Sequence, residues 1–407
     1  MAYEFEAAAQ LRLDGYLTRI GQHLKDRRKR ESFAMYAFGI LGDGERKSAE
    51  PIAARASGDP ERARNAHEKL IHFLAHSVWD DRSVRLEATR YAMEALSQRE
   101  PITTWIIDET GFLKQGTHSV GVHRQYTGSA GKIANCQVGV CLAIATPTEH
   151  VPVDFELYLP RAWTDDPQRR EATRIPPDIQ FKTKIELALD MIRRARQAGV
   201  PGKIMLGDSV YGNSAEFRNQ VRLMGFDFGV QVESNIHDVR LNSRGYPSGF
   251  ALSALQLAQR RGRKNFRRFT WREGSKSELS SHFLFQRVKP IGDDGVVLDE
   301  KEPLWLVIEW PIGEPKPTKC WLTTLPTRMT KPKIIRLLKE RWRIERVFED
   351  LKGELGLDHF EGRSFPGWHH HVSVVLCCYA YVVAERARTF PPSRRWSSPC
   401  DPLTAAA

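Results

Sequence analysis

The 407-residue sequence has few cysteines and no long apolar run. Its six cysteines include no Cys-x-x-Cys pair, and no secretory leader is recognisable before them. We therefore expect free thiols in a reducing cytoplasm rather than a disulfide framework. No apolar stretch reaches the roughly 18 residues that a membrane span requires. These absences argue against a disulfide-rich secreted protein and a membrane protein.

A zinc-binding pattern is also missing. Three consecutive histidines, His369, His370 and His371, are candidate ligands by residue type. Adjacent side chains on a helix point in different directions, however, and no Cys or His partner follows at the spacing of known zinc sites. We therefore predict that these histidines bind no zinc.

Positive charge is abundant instead. Lysine and arginine number 61 against 50 acidic residues, a formal net charge of +11. Such a balance suits a polyanion such as DNA, whose phosphates are neutralised by basic side chains. The densest basic run lies in an N-terminal region of helical periodicity, and its candidate phosphate contacts are Arg27, Arg28, Lys29 and Arg30. A solvated helix face is the alternative.

A second basic cluster lies in a β-like stretch further along the chain. Its cations are Arg263, Lys264, Arg267 and Arg268, and they alternate with Phe266, Phe269 and Trp271. Basic residues interleaved with aromatic ones suit backbone tracking combined with base stacking on nucleic acid. The alternative is a strand edge that carries charge to prevent aggregation.

Three charged residues near the C-terminus have a helical spacing. Arg341, Glu345 and Lys352 fall on one face of a helix of 3.6 residues per turn. The apolar positions that predict this helix are Ile334, Leu337, Leu338, Phe348 and Leu351. An isolated Arg-x-x-x-Glu pair is commonly a minor surface interaction. Its interest here depends on two aspartates elsewhere.

Those aspartates end two short hydrophobic strands. Asp108 follows the β-branched and aromatic run 103–107, and Asp208 follows the apolar run 203–207. A carboxylate at such a position is costly unless it is solvated, paired or bound to metal. Together with Glu345 they form an oxygen-rich set suited to Mg²⁺ or Mn²⁺. Glu109 points to the opposite face of the strand and is predicted to have at most an indirect role.

These stretches resemble a known family. The segments around Asp108 and Asp208, and residues 341–356, are similar to those of DDE-type insertion-sequence transposases with an RNase H-like catalytic domain. The last segment matches the family's Tyr-x2-Arg-x3-Glu-x6-Lys signature at Arg341, Glu345 and Lys352. Leu338 stands where that signature has tyrosine.

The resemblance implies an α/β fold with an RNase H-like mixed sheet, in which the strands carrying Asp108 and Asp208 are neighbours. We predict strands near 103–109, 134–146, 150–159, 203–207 and 226–232, a helix near 181–198, and a hairpin turn at 126–131. The expected domains are a helical DNA-binding domain (1–100), a first core segment (101–232), a β-rich insertion (233–325), C-terminal core helices (326–390) and a disordered tail (391–407).

The resemblance also implies a function. The chain would bind the terminal inverted repeats of a bacterial insertion sequence, cut the DNA and transfer the freed strand to target DNA, with at least a dimer in the synaptic complex. Asp108, Asp208 and Glu345 would be catalytic and would hold two Mg²⁺ or Mn²⁺ ions. Arg341 and Lys352 would contact phosphates. Trp342 could stack on a displaced base, although a core role is common for so large an aromatic.

Two other functions share these features. Another RNase H-like nuclease, such as a junction resolvase, would use the same carboxylates without the insertion or a repeat-binding domain. A catalytically silent DNA-binding relic of a transposase would keep the basic surface. Imperfect inverted repeats flanking the gene would distinguish a transposase from a resolvase.

Overall fold

The computed structural model describes residues 7–57, 59–240, 250–273, 278–291 and 303–389. The predicted tail at 391–407 lies outside the described residues, as do parts of the predicted insertion. In the described part of the chain, no helix is long and apolar enough to cross a membrane.

Helices occupy the N-terminal quarter, as the sequence predicts. They are α1 (Ala7–Gly21), α2 (Arg27–Leu41), α3 (Ala49–Ala56), α4 (Pro60–Ile71) and α5 (Asp81–Ser97), with a π-helical turn at His72–His76. The later helices are α6 (Arg161–Thr164), α7 (Pro167–Thr173), α8 (Lys184–Gln197), α9 (Ser209–Gly212), α10 (Ala215–Leu223), α11 (Ala254–Arg261), α12 (Lys331–Lys339), α13 (Trp342–Gly353) and α14 (Phe365–Thr389).

Twelve strands form one mixed sheet in the described residues. They are β1 (Thr104–Leu113), β2 (His123–Thr127), β3 (Lys132–Ala145), β4 (His150–Tyr158), β5 (Ile204–Gly207), β6 (Asp227–Val232), β7 (His237–Arg240), β8 (Leu252–Ser253), β9 (Arg267–Glu273), β10 (Glu278–Pro290), β11 (Leu304–Glu309) and β12 (Lys319–Thr323). The predicted strands and the helix at 184–197 are confirmed, with ends shifted by a few residues.

The order β4-β3-β1-β5-β6 forms the centre of this sheet. β3 runs antiparallel to both β1 and β4, whereas β5 is parallel to β1 and to β6. This is the RNase H-like arrangement, and the predicted pairing of the strands before Asp108 and Asp208 is confirmed. The strands of the predicted insertion continue the same sheet, because β12 pairs antiparallel with β6 and is followed by β11 and β10.

The N-terminal helices share a hydrophobic core with α14 and the sheet. The Tyr16 hydroxyl donates to the carbonyl of Cys377 at 2.7 Å, and the Tyr36 hydroxyl lies 2.9 Å from Nδ1 of His371. Both tyrosines are buried. Helices α1 and α2 are therefore packed onto the C-terminal helix of the chain, so tests of DNA binding should use the full chain.

A buried ion-pair network joins α5 to the sheet. Arg85, whose side chain is 1% exposed, donates to Asp154 of β4 at 3.1 Å and to the Ser373 hydroxyl of α14 at 2.7 Å, and it also pairs with Asp81. Arg194 of α8 donates to the other oxygen of Asp154 at 2.7 Å. This network links four elements of the fold, because its members come from α5, α8, α14 and β4.

We predict that Arg85→Met lowers the free energy of unfolding by about 3–5 kcal/mol, because removing one member of a buried ion pair leaves the other charge uncompensated. Arg90→Met, on the same helix but with a side chain 45% exposed, should cost about 0.5 kcal/mol or less. Urea denaturation followed by circular dichroism measures both. An equal, small effect of the two variants would contradict a stabilising role for the network.

Candidate active site

Asp108 and Asp208 come together at the centre of the sheet. Ile107 of β1 is the register partner of Gly207 of β5, so the aspartate that follows each residue lies on adjacent parallel strands. Asp108 is buried and accepts the backbone N–H of Glu109 at 2.8 Å. Asp208 is half-buried and caps α9 by accepting the backbone N–H of Val210 at 3.0 Å.

Burial makes both carboxylates harder to ionise. Burial raises the pKa of Asp108 to about 7; the nearby Arg341 charge opposes this shift, and the neighbouring Asp208 adds to it. Burial also raises the pKa of Asp208, while Arg341 and the backbone N–H groups of α9 pull it down. A second positive charge at this point would lower the pKa of both carboxylates.

The helix predicted to carry Arg341, Glu345 and Lys352 is not continuous, which corrects the sequence interpretation. α12 ends at Lys339 and α13 begins at Trp342. The turn between them has hydrogen bonds that span three residues, for example from the Arg343 N–H to the Glu340 carbonyl. The residues on the two sides of the break contact different parts of the protein. Lys339 donates to the buried Glu309 at 2.6 Å, whereas Arg341 turns to β1.

Arg341 joins two of the three carboxylates. Its guanidinium donates to Asp108 and to Glu345, which confirms the predicted proximity of Arg341 and Glu345. The Arg341 side chain is 19% exposed, while that of Glu345 is 55% exposed. The carboxylates raise the pKa of Arg341 despite its burial, so it remains charged. Arg341 therefore acts as the internal counter-ion of this site.

Lys352 lies further along α13 and contacts β1 instead of Glu345. Its ammonium donates to the Thr110 hydroxyl at 2.8 Å, to the Gly111 carbonyl at 2.8 Å and to the Ser129 hydroxyl at 3.3 Å. Three acceptors match the three protons of the ammonium group. These hydrogen bonds connect α13 to β1 and to the turn that follows β2. To contact a phosphate, Lys352 would have to give up one or more of them.

Leu338 and Trp342 differ in their surroundings. Leu338, at the tyrosine position of the signature, is buried and packs against Gly229 of β6, where a Cβ atom would lie 2.5 Å from the leucine Cδ2. Trp342 is half-buried, with the Arg272 guanidinium 4.3 Å from its ring centroid. One face of the Trp342 ring is therefore covered by a protein cation.

The N-terminal basic run is partly engaged within the protein. Arg27 pairs with Glu31 at 2.7 Å, Lys29 donates to the Val78 carbonyl at 2.8 Å, and Arg30 donates to the Leu24 carbonyl at 3.0 Å. Arg28 is exposed, and its side chain has no hydrogen bond or ion pair to the described residues. The run lies at the start of α2.

The second basic cluster is exposed on the short helical turn Arg263–Asn265, which follows α11, and on β9. Lys264 and Arg267 point into solvent, Arg268 donates to the Ser280 hydroxyl at 3.2 Å, and Arg263 donates to the Pro311 carbonyl at 2.6 Å.

The interleaved aromatic residues correct the stacking hypothesis for this cluster. Phe266 is buried, and its ring meets Trp310 edge-on with centroids 5.4 Å apart. Phe269 and Trp271 pack against Phe283 of β10. These rings are committed to packing, so the cluster offers charge rather than a stacking platform.

Two side chains near the aspartates, those of Lys184 and Tyr211, were not predicted from the sequence to belong to the site. Lys184 of α8 donates to Glu109 at 2.5 Å, on the opposite side of β1 from Asp108, as strand alternation predicts. The Tyr211 hydroxyl is buried without a hydrogen-bond partner among the described residues, and the nearby carboxylates raise its pKa further than burial alone. Only the position of Tyr211 three residues after Asp208 could have suggested its proximity.

The three consecutive histidines are buried in the core of α14. The imidazole of His369 lies 3.4 Å from Glu156, His370 contacts the Leu74 carbonyl at 2.7 Å, and His371 contacts Tyr36. Each ring is thus directed at a different part of the protein. Burial lowers the pKa of His370 and of His371 to about 4, which favours their neutral forms.

The donor set suits a hard divalent cation. Asp108 and Asp208 offer carboxylate oxygens from adjacent strands, and burial raises the pKa of both carboxylates. Within the described ranges, no group of three or more His, Cys, Asp or Glu side chains is already gathered for a metal. Glu345 accepts a hydrogen bond from Arg341, so it would have to exchange partners to complete the set.

Comparisons with known proteins agree with this geometry. A family model described as DDE superfamily endonuclease matches residues 19–278, and one described as Transposase DDE domain matches residues 181–381. A probable transposase for insertion sequence element IS701 from Microchaete diplosiphon is 25% identical over 368 residues, which cover 90% of this chain and 85% of the relative.

A solved structure, the cryo-EM structure of the piggyBac transposase synaptic complex with hairpin DNA, aligns over 94% of this chain and 80% of its own at 11% identity and a TM-score of 0.41. The first family model covers more than half of the sequence. The chain therefore belongs to the DDE superfamily endonucleases, as a DDE-type transposase of the insertion-sequence class.

Proposed function

We propose that this transposase binds the terminal inverted repeats of its insertion sequence, cleaves the DNA there and transfers the freed 3′ strand to target DNA. The observation that carries the proposal is the placement of Asp108 and Asp208 on adjacent parallel strands, with Arg341 linking Asp108 to Glu345. Joining two DNA ends requires two active sites, so the working assembly is at least a dimer.

Asp108, Asp208 and Glu345 would hold Mg²⁺ or Mn²⁺, and we propose two ions per site. When bound, such ions lower the pKa of an attacking water or hydroxyl and neutralise charge on the leaving oxygen. The two aspartates are held in position by β1, β5 and the N-terminus of α9. Glu345, on the exposed side of α13, would provide the third carboxylate for the metal ions.

Arg341 and Lys352 are proposed to contact phosphates beside the scissile bond. Arg341 presents a planar fork that can exchange a carboxylate for a phosphate. Lys352 is fastened to Thr110 and Gly111, so its first contribution is to keep α13 registered on β1. The two cations then act at different distances from the aspartates, Arg341 at the carboxylates themselves and Lys352 towards the end of β1.

The wider DNA surface would use the two basic clusters. Lys264 and Arg267 are exposed and project from the insertion together with Arg263 and Arg268. The N-terminal run Arg27–Arg30 contributes its exposed members, of which Arg28 is not engaged with the described residues. We propose that both clusters contact the phosphate backbone of the DNA. We also propose that Trp342 contributes to DNA binding together with Arg272, whose guanidinium lies against its ring.

The proposal is tested with the full-length protein and a duplex carrying the inverted repeat that flanks its gene. In Mg²⁺, we expect strand-specific nicking that leaves a 3′-OH at the repeat end, followed by joining to a target plasmid. Gel analysis of end-labelled strands measures both steps. A scrambled repeat is the control, and equal cleavage of both duplexes, or cleavage of four-way junctions alone, would contradict the proposal in favour of a general nuclease or a resolvase.

A further inference from the structure

The hairpin formed by β2 and β3 carries an exposed pair of large apolar residues. Tyr126 of β2 and Ile133 of β3 are direct cross-strand partners, and their side chains are 62% and 60% exposed. A cross-strand aromatic–aliphatic pair usually stabilises a sheet by covering its surface. Here the pair stands in solvent next to the turn 128–131, where it covers little of the core.

This hairpin leans over the strand that carries Asp108. The Ser129 hydroxyl donates to the Gly111 carbonyl at 3.2 Å and lies 3.3 Å from the Thr110 hydroxyl. Lys352 of α13 donates to the same serine oxygen. Thr110 is two residues from Asp108, about 7 Å along a strand. The turn of the hairpin therefore lies beside the candidate active site.

Close packing holds the hairpin in this position. A Cβ atom at Gly111 would lie 1.9 Å from the Thr127 hydroxyl, so only glycine permits this approach. Thr127 is buried against β1. Since successive side chains of a strand point to opposite sides, Tyr126 and its partner Ile133 are directed away from β1 into solvent.

The charge around the pair is uniformly positive or neutral. Residues 123–133 include His123, Arg124 and Lys132 and no acidic residue. Arg124 and Lys132 are exposed, and their side chains make no hydrogen bond or ion pair with the part of the chain that the structure describes. Arg124 shares the face of Tyr126, whereas Lys132 is the register partner of Thr127 on the other face. A cation beside an aromatic side chain suits the phosphates and bases of nucleic acid better than an apolar protein surface.

We propose that the β2–β3 hairpin is a DNA-contacting arm on which Tyr126 and Ile133 pack against bases beside the scissile phosphate. Arg124, which lies two residues before Tyr126 and on the same face of β2, neutralises a phosphate next to those bases. The inference rests on the proposed function, because it assumes that DNA enters the site formed by Asp108 and Asp208. It adds a contact of apolar and aromatic character, which the two basic clusters lack.

The test uses the full-length protein and a fluorescent inverted-repeat duplex in Ca²⁺, which should permit binding without turnover. Tyr126→Ala should weaken binding about ten-fold, the scale of one lost base–aromatic stack. Tyr126→Phe should bind like the wild type, because the ring is kept, and Ile133→Ala should weaken binding in the same direction as Tyr126→Ala. Leu223→Ala, a change at a residue 78% exposed on α10, is the control and should have no effect.

A second readout locates the contact. 2-Aminopurine placed at the bases flanking the cut should change its fluorescence on binding of the wild type and of Tyr126→Phe, and not on binding of Tyr126→Ala. Unchanged affinity and an unchanged 2-aminopurine signal for Tyr126→Ala would overturn the inference while leaving the proposed function intact. A change confined to the protein stoichiometry in light scattering would also overturn it, in favour of a contact between two copies. Failure of the wild type to prefer the repeat would instead contradict the proposed function.

Discussion

Asp108→Asn, Asp208→Asn and Glu345→Gln should each reduce DNA cleavage at least roughly a thousand-fold, because residues that act as one unit lose nearly all activity when any one is removed. Binding of the repeat in Ca²⁺ should persist. Single-turnover cleavage in Mg²⁺ and fluorescence anisotropy measure the two properties. Glu349→Gln is the matched control, since Glu349 lies one turn after Glu345 on α13 with a side chain 68% exposed.

Asp108→Asn should also change the stability of the metal-free protein. The pKa of Asp108 is raised to about 7 in the folded state, compared with about 3.9 in an unfolded chain. The folded state therefore holds this proton more tightly, so the stabilising contribution is present below about pH 4 and is lost as the pH rises to about 7. Asparagine has no such titration. The melting temperature of Asp108→Asn should therefore exceed that of the wild type by a margin that grows between pH 4 and pH 8.

In the presence of a divalent metal ion, the wild type should instead melt at a higher temperature than Asp108→Asn. Mg²⁺, Mn²⁺ or Ca²⁺ should raise the melting temperature of the wild type, because a ligand that binds only the folded state stabilises it. Asp108→Asn and Asp208→Asn should show little or no rise, whereas Glu349→Gln should behave like the wild type. Wild-type cleavage by any of the three carboxylate variants, or an undiminished metal response, would remove that residue from the proposed metal site.

Arg341→Gln should bind divalent metal more tightly than the wild type in the absence of DNA, yet cleave DNA more slowly. Arg341 donates to Asp108 and Glu345, so it occupies ligand oxygens and places a positive charge where a metal ion would lie. Removing the charge should increase metal affinity roughly ten-fold or more, given that two unit charges about 4 Å apart interact by about 4 kcal/mol at an effective dielectric constant of about 20. Cleavage should slow because the proposed phosphate contact is lost.

The two effects are measured separately. The metal-dependent rise in melting temperature or calorimetric titration with Mn²⁺ reports affinity, and single-turnover assays at saturating metal report cleavage. Arg346→Gln is the control, because Arg346 lies on the same helix and pairs with Glu349 and Asp350 away from the aspartates. Arg341→Lys should retain the charge but lose the two-pronged geometry, and so remain slow. Weaker metal binding by Arg341→Gln would mean that Arg341 instead holds the carboxylates in the metal-binding arrangement.

The strands at the centre of the fold could be predicted from local patterns in the sequence. The β-branched run before Asp108 and the apolar run before Asp208 predict strands because their periodicity and residue types are local properties. The family signature placed Glu345 four residues after Arg341, a spacing at which helical side chains meet, and the structure shows their hydrogen bond. The pairing of β1 with β5 followed from the RNase H-like arrangement that these motifs imply.

The partners of the charged side chains, in contrast, depend on how distant elements pack together. The helical spacing of Arg341, Glu345 and Lys352 treats them alike, but Arg341 turns to Asp108 whereas Lys352 bonds to Thr110 and its neighbours, because β1 passes beneath α13. At the break between α12 and α13, Lys339 donates to Glu309, a residue distant in sequence, so this contact could not be read from helical spacing either.

The surfaces of the molecule depended on tertiary packing as well. Phe266 and Trp271 have the composition of a stacking platform, yet they pack inward because β10 and the residues after β11 supply apolar partners. Tyr126 and its cross-strand partner Ile133 instead remain exposed beside the site. Periodicity reports which residues share a face of an element, whereas the burial of that face depends on elements far away in the chain.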